Sequence, residues 1–323
     1  MVRSLIASGC AVLVSLASVQ CAAADGLAVA VVQGWAAVAD AAGGGATTGG
    51  QGGATIRVHD EQGLLKALSG SQPQVILIEG MIELSQPVRV PSEVTLQGVG
   101  IKSGFRGNGL HLRKVSNIVL RNLSISEAAD AIGIEESHHI WVDHCSLSKC
   151  RDGLLDIKRG SDFITVSWNH FFDHHKSCLL GHSDKPGIRE IDRGHLRVTY
   201  HHNFFDGTKT RHPRVRFAEG VHVVNNYYRG NEYGVAALMD SGVIVDGNVF
   251  EDVEHPTLTE YGDSPDPGRL VASGNLLIDS GEIISRGSVD RAVLQYQLEV
   301  EDAERIRVIV PAGAGVQETQ DEL

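Results

Sequence analysis

A short β-branched triplet returns through most of this chain at a spacing of about two dozen residues. Its instances are Val94-Thr95-Leu96, Ile118-Val119-Leu120, Ile140-Trp141-Val142, Ile164-Thr165-Val166, Leu196-Arg197-Val198, Val221-His222-Val223, Val243-Ile244-Val245 and Leu270-Val271-Ala272. Successive starts are 24, 22, 24, 32, 25, 22 and 27 residues apart, an irregular but bounded period of the kind that stacked coils produce. Six of the units share a second half that opens on asparagine: Asn122-Leu123, Asn169-His170, Asn203-Phe204, Asn226-Tyr227, Asn248-Val249 and Asn275-Leu276. Asparagine tolerates left-handed backbone, and its amide can bond to the same amide one rung away, so a repeating Asn suits a tight bend in a stack. A sandwich or barrel would instead carry hairpin signals such as Asn-Gly between neighbouring strands, and these are nearly absent. The reading is an all-β chain, a right-handed single-stranded parallel β-helix. The amphipathic stretch Asp60–Leu68 is expected as a short helix over its open N-terminal end.

The two ends read differently. Arg3, the apolar run Leu5–Ala17 and Ala22-Ala23-Ala24 form the pattern of a secretory signal peptide over residues 1–24, too short and interrupted to span a bilayer. A lipid-attached Cys21 is the rival, and Gln20 is a poor neighbour for such processing. The chain is therefore expected to be secreted and extracellular, with no membrane partner, and to act as a monomer. Residues 25–53 are rich in Gly, Ala and Thr and cannot build a core of their own, so they form a leader. The β-helix is expected over 54–310 and a plain tail over 311–323. Beyond residue 24 the cysteines are Cys145, Cys150 and Cys178. Three is an odd number, and no Cys-x-x-Cys spacing supports a metal site, so they are expected as buried small side chains or a single bridge.

Charge narrows the partners. Lys and Arg number 28 and Asp and Glu 40, a formal charge of −12, which argues against a surface wholly given to a polyanion and against nucleic acid. The charge is segregated, however. From Arg151 to Arg216 there are 12 basic and 8 acidic residues, a sum of +4, which leaves −16 for the remainder.

That region also holds the candidate chemistry. Residues one period apart stack at about 4.8 Å on a solenoid, so side chains distant in sequence converge. Asp130 and Asp152 are 22 residues apart, while Asp152 and Asp156 differ by four and share a strand face by parity. Three gathered carboxylates repel one another unless a cation lies between them, and Ca²⁺ is the hard ion that suits oxygen ligands outside the cell. Lys176, Arg211 and Arg216 fall on neighbouring coils, the arginines flanking Pro213, whose ring fixes the local bend. Cations beside calcium-binding carboxylates suit a polymer that is itself carboxylated.

Five segments carry a resemblance. Trp141-Val142-Asp143-His144, Asp156-Ile157-Lys158 leading to Ser167-Trp168-Asn169, Lys176 leading to Gly181-His182-Ser183-Asp184, Tyr200-His201-His202-Asn203, and Arg211-His212-Pro213-Arg214-Val215-Arg216 resemble, in order, the signatures of the pectate lyases of polysaccharide lyase family one. The resemblance covers roughly residues 54–300. It implies a right-handed parallel β-helix, Ca²⁺ as cofactor, and β-elimination of polygalacturonate, the de-esterified pectin of plant cell walls. It also implies that Asp130, Asp152 and Asp156 are calcium ligands, Arg211 the catalytic base, and Lys176 and Arg216 substrate-binding residues. Some members have a further carboxylate two residues before the first ligand; Ala128 stands there in this chain. Pectin lyases share the fold, act on methyl-esterified substrate without Ca²⁺ and typically lack the carboxylates that are present here. Two other readings remain: a galacturonan hydrolase using Asp152 and Asp156 as acid and base, which leaves Arg211 and Lys176 without a role, and a solenoid that only binds polysaccharide. Arginine is an unusual base. The guanidinium holds its proton far into the alkaline range, so its neutral fraction at pH ~9 is very small. Either neighbouring cations lower its pKa or the guanidinium positions hydroxide, and both accounts lead to an alkaline optimum.

Overall fold

The computed structural model describes residues 31–40, 44–262 and 264–318; the expected signal peptide lies outside them. The strands form parallel sheets along the stack, and each coil contributes to up to three. The first sheet holds ten successive strands, from Ala54–Val58 through Val94, Ile118, Ile140 and Ile164 to Arg269–Ser273. Two further sheets run beside it, one through Ser146–Ser148 and His170–Phe172, the other through Leu155–Lys158 and Cys178–Leu180. This is the right-handed parallel β-helix expected from the repeat. One rung departs from the sequence alignment: Ile164 pairs with Val198 rather than Leu196, because Leu196 adopts φ +63° and turns the corner before the strand begins. The extra length of that coil holds a helix, Pro186–Asp192, that the repeat did not indicate.

Alternation within the strands explains the stacking. Inward residues such as Ile118, Ile140, Ile164 and Val243 are fully buried and fill the bore. Phe171, Phe205, Tyr228 and Phe250 stack through it with ring centroids 4.8, 4.9 and 4.5 Å apart, the rise of one coil. The asparagine ladder is also present, with five members. The Nδ2 groups of Asn169, Asn203, Asn226 and Asn248 each donate to the Oδ1 of the next, at 2.9–3.0 Å, and the last acceptor is Asn275. Asn122 is not a member. In this register Leu123 occupies the ladder column, and Asn122 falls one position earlier with His144, Trp168, His202 and Asn225. That earlier column has the positive φ, 49–56°, so the left-handed bend and the amide ladder belong to adjacent residues rather than to one. Asn226→Ala would remove the acceptor of the Asn203 backbone N–H and of one side-chain N–H of Asn203, and the Nδ2 donor to the Tyr200 carbonyl, all in a buried interior. A loss of about 3 kcal/mol is expected, measurable by denaturant unfolding.

A helix over Glu61–Leu68, here α1, covers the N-terminal end as expected, with Asp60 as its cap accepting from Gly63 N at 2.7 Å. The described part of the leader lies along the outer row of the first sheet. Trp35 is buried and donates to Gly220 O, while Thr199 and Thr165 accept from the Trp35 and Ala36 amides at 3.0 Å. Asn117 and Thr95 hold Thr48, Gly49 and Gly50. The glycines have a steric reason: a Cβ on Gly50 would lie 1.8 Å from Gln74 O. Beyond the last coil the chain returns along the outside. The helix Ala303–Gly313 crosses the boundary expected at residue 310, with Pro311 inside it, and packs on Phe204, Tyr227 and Val249. Gln317 and Asn122 then exchange two hydrogen bonds, 2.7 and 3.1 Å, so the tail is a strap and not a plain extension. Cys145, Cys150 and Cys178 are buried and unbridged. Burial pushes the Cys145 thiol up to about 12, which suits an inert packing residue.

Candidate active site

The outward face of the third sheet carries the polar residues. On the strand Leu155–Lys158, Leu155 and Ile157 point into the bore, which turns Asp156 and Lys158 outward. One glycine organises what surrounds them. Gly153 N donates to Asp130 Oδ1 at 3.0 Å, and the Asp156 carboxylate packs so close to Gly153 that a Cβ there would lie 2.2 Å from Asp156 Oδ1. Asp152 is the adjoining residue. The three aspartates expected to gather do gather, around a position that the sequence reading did not single out.

Their environments differ. Asp152 is exposed and its Oδ1 accepts from Lys176 Nζ at 2.9 Å, an interaction that holds the carboxyl below its usual range. Asp156 is 4% exposed, its Oδ1 has no hydrogen-bond partner among the described residues, and burial followed by the nearby charge of Asp130 pushes its carboxyl up to about 6. A buried carboxylate oxygen without a donor, beside a second carboxylate, is poorly solvated by the protein. Such a donor set, all oxygen and anionic, fits a hard divalent cation. Gly153→Ala would drive the Asp156 carboxylate out of this cluster. Activity is expected to fall at least tenfold with little change in unfolding temperature, which a rate assay and a melting curve on the same sample would separate.

Arg211 lies on the next coil. Lys176 bridges Thr210 at an offset of 34 residues, whereas Leu179 pairs with Arg214 at an offset of 35. The segment Arg211-His212-Pro213 therefore accommodates one extra residue, with Arg211 at φ +68° and the His212–Pro213 bond cis. Arg211 O accepts from Cys178 N at 2.7 Å, which fixes the turn to the coil below. His212 anchors it from inside. Its ring is fully buried, Nε2 meets Thr208 Oγ1 at 2.9 Å and Nδ1 meets Tyr233 O, while burial pushes the imidazole down to about 3 and keeps it neutral. The motif contained His212, but nothing in it distinguished a buried anchor from a groove residue. The charge of Arg211 is felt at both Asp152 and Asp156, where it favours the ionised carboxylates.

Arg216 sits differently. It is 6% exposed, its Nη1 donates to Gly181 O at 3.1 Å and its Nε lies 2.8 Å from Asp184 Oδ1. It is thus a held cation at the edge of the cluster, and Asp184, quoted in the sequence only as part of a motif, is its counter-ion. Lys158, which faces outward beside Asp156, pairs with Glu135 at 3.5 Å.

The fold and site together define a parallel β-helix that gathers acidic and basic side chains on one outer face. A family model described as pectate lyase matches residues 2–264. A probable pectate lyase B of Aspergillus terreus is 37% identical over 284 residues, covering 84% of this chain and 86% of that protein. A pectate trisaccharide-lyase of Bacillus licheniformis is 34% identical over 294 residues, covering 84% of each. Among solved structures, a pectate lyase from Bacillus sp. N165 in complex with trigalacturonate superposes with a TM-score of 0.77 at 26% identity, over 88% of this chain and 99% of that one. The chain belongs to the pectate lyase family.

Proposed function

We propose that this pectate lyase is secreted, requires Ca²⁺, and cleaves (1→4)-α-D-galacturonan by β-elimination to give 4,5-unsaturated oligogalacturonides. The observation that carries the reading is the meeting of Asp130, Asp152 and Asp156 around Gly153, with Lys176 and Arg211 on the adjoining coils. Asp130, Asp152 and Asp156 would hold the calcium. When bound, the ion supplies Lewis acidity toward a galacturonate carboxylate and so makes the adjacent C5 proton easier to remove.

The chain's own residues account for the remaining steps. Arg211 faces the C5 proton and either accepts it as the neutral guanidine or holds hydroxide there. Lys176, already bonded to Asp152, offers its remaining N–H groups to the substrate carboxylate and stabilises the charge that develops on it. Arg216, fixed by Asp184 and Gly181 O, presents a guanidinium that needs no reorganisation when a second carboxylate arrives. The glycosidic oxygen at C4 then leaves with the bonding pair. Because the base must be neutral or replaced by hydroxide, the rate is expected to rise with pH into the alkaline range. Mass analysis of the products tests the elimination itself. Each cut must generate a new non-reducing end lighter by one water than hydrolysis gives; saturated ends alone would favour a hydrolase.

A further inference from the structure

A second cluster of ligating atoms lies where the leader crosses the corner between the third and first sheets, and it contains none of the six residues considered above. His138 Nδ1 and His139 Nδ1 are 2.8 Å apart, with their ring planes at 81°. Asp40 of the leader brings Oδ2 to 4.0 Å from the first nitrogen and 3.8 Å from the second. All three atoms lie within 4.8 Å of one another. Four ligands around one zinc ion at ~2.0–2.1 Å stand roughly 3.3 Å apart, so small ring rotations bring these atoms to coordinating distance.

The surroundings orient them. The Val38 carbonyl can only accept, so the His139 Nε2 at 3.1 Å donates to it and leaves the Nδ1 lone pair turned toward His138 and Asp40. His139 is 3% exposed, adopts φ +55°, and is clamped by Phe163 at a 5.0 Å centroid distance and 16° between planes. The other Asp40 oxygen accepts from Gly44 N at 2.7 Å. Gly44 itself is a tight fit, since a Cβ there would meet Asp40 Oδ2 at 2.8 Å and His139 Cε1 at 3.1 Å. The basic side chains facing the same cavity are already engaged: Arg197 and His195 with Asp162, Arg159 with Glu135. His138 is solvent-exposed, which leaves room for water as a fourth ligand.

We infer that Asp40, His138 and His139 form a binding site for zinc, a borderline ion suited to two imidazole nitrogens and one carboxylate oxygen. On binding, His138 changes tautomer: its single proton moves from Nδ1, where it bridges to His139 Nδ1, to Nε2 by exchange with solvent, so both Nδ1 lone pairs face the ion and no net proton is released. The ion joins the leader to the third-sheet corner and supplements a contact otherwise made by threonine, asparagine and Trp35.

The test uses the purified protein, stripped with chelator, titrated with Zn²⁺ by calorimetry and with Co²⁺ by visible absorption. One zinc per chain is expected, together with the visible bands of tetrahedral cobalt. His138→Gln and Asp40→Asn should each weaken zinc at least tenfold, the lower bound for losing even an outer-shell partner. Both side chains lie outside the bore, so circular dichroism should match the parent. Absence of zinc uptake by the parent overturns the assignment, as does uptake in His138→Gln as tight as in the parent, which would place the ligands elsewhere, such as His174 and His175.

Discussion

Arg211→Ala is expected to lower kcat on polygalacturonate by on the order of 10³-fold, the middle of the range for removing a positioned proton-transfer group. Thermal unfolding should stay close to the parent. The turn that presents Arg211 is held by backbone and by its neighbours: Cys178 N to Arg211 O, the buried His212 ring, and Tyr228 OH to His212 O at 2.9 Å. None of these uses the guanidinium. Arg211→Lys is the sharper variant, because it retains the charge felt by Asp152 and Asp156 while losing the planar fork. If Arg211 acts only as a distant charge, the lysine variant should recover most of the rate. If it handles the proton or aligns hydroxide, lysine should remain within about tenfold of alanine. His212→Ala should instead lower stability and activity together, since it removes the imidazole partner of the Thr208 hydroxyl and of the Tyr233 carbonyl and leaves a cavity in the interior.

Asp156→Asn is expected to separate stability from function. In chelator, the parent keeps a buried carboxylate whose pKa of about 6, against an ordinary value near 3.8, reflects burial and the charge of Asp130. Above that pKa the folded state bears a charge it solvates poorly, at a cost of about 3 kcal/mol at pH 7. The sign follows from the raised value. The folded state binds the proton more tightly than the unfolded chain, so the penalty is complete above about pH 6 and vanishes as both states protonate below about pH 4. Metal-free Asp156→Asn should therefore be more stable than the metal-free parent at pH 7, and the difference should disappear on acidification. With Ca²⁺ the order should reverse, because the parent gains stability in proportion to the logarithm of free calcium and the variant does not. Melting curves at pH 7 and pH 4, with and without Ca²⁺, read all four conditions. A metal-free variant less stable than the parent at both pH values would show that Asp156 is simply a structural side chain.

Much of this architecture is legible in the sequence because a solenoid repeats its constraints. Ile118, Ile140 and Ile164 each face the same bore, so the triplets announce the period, and the phenylalanines and tyrosines that follow announce the stack. Reading failed where identity and position come apart. Asn122 looks like a ladder asparagine, yet it sits one residue early, since left-handed backbone and amide ladder occupy neighbouring columns. Leu196 looks like the start of a rung but turns a corner. The carboxylates are legible because Asp130 lies one coil from Asp152, with Asp156 four residues further on, and three aspartates brought together so must repel unless they share a cation. Gly153 is not, because its requirement is a missing Cβ, and a glycine in a chain with 37 of them carries no mark of which contact excludes a side chain. Asp184 and His212 escaped for a related reason: their partners, Arg216 and the Tyr233 carbonyl, are fixed by the return of the coil and not by local spacing.

The central claim is that one face of the third sheet combines a calcium-binding carboxylate cluster with Arg211 to perform an elimination. The most direct measurement follows the ultraviolet absorbance of the unsaturated uronate while polygalacturonate is incubated with the protein in chelator, then with Ca²⁺ restored, at neutral and alkaline pH. The account predicts no product in chelator, recovery on adding Ca²⁺, and a faster rate at alkaline pH. Equal product in chelator, or reducing ends that accumulate without any unsaturated absorbance, would contradict it.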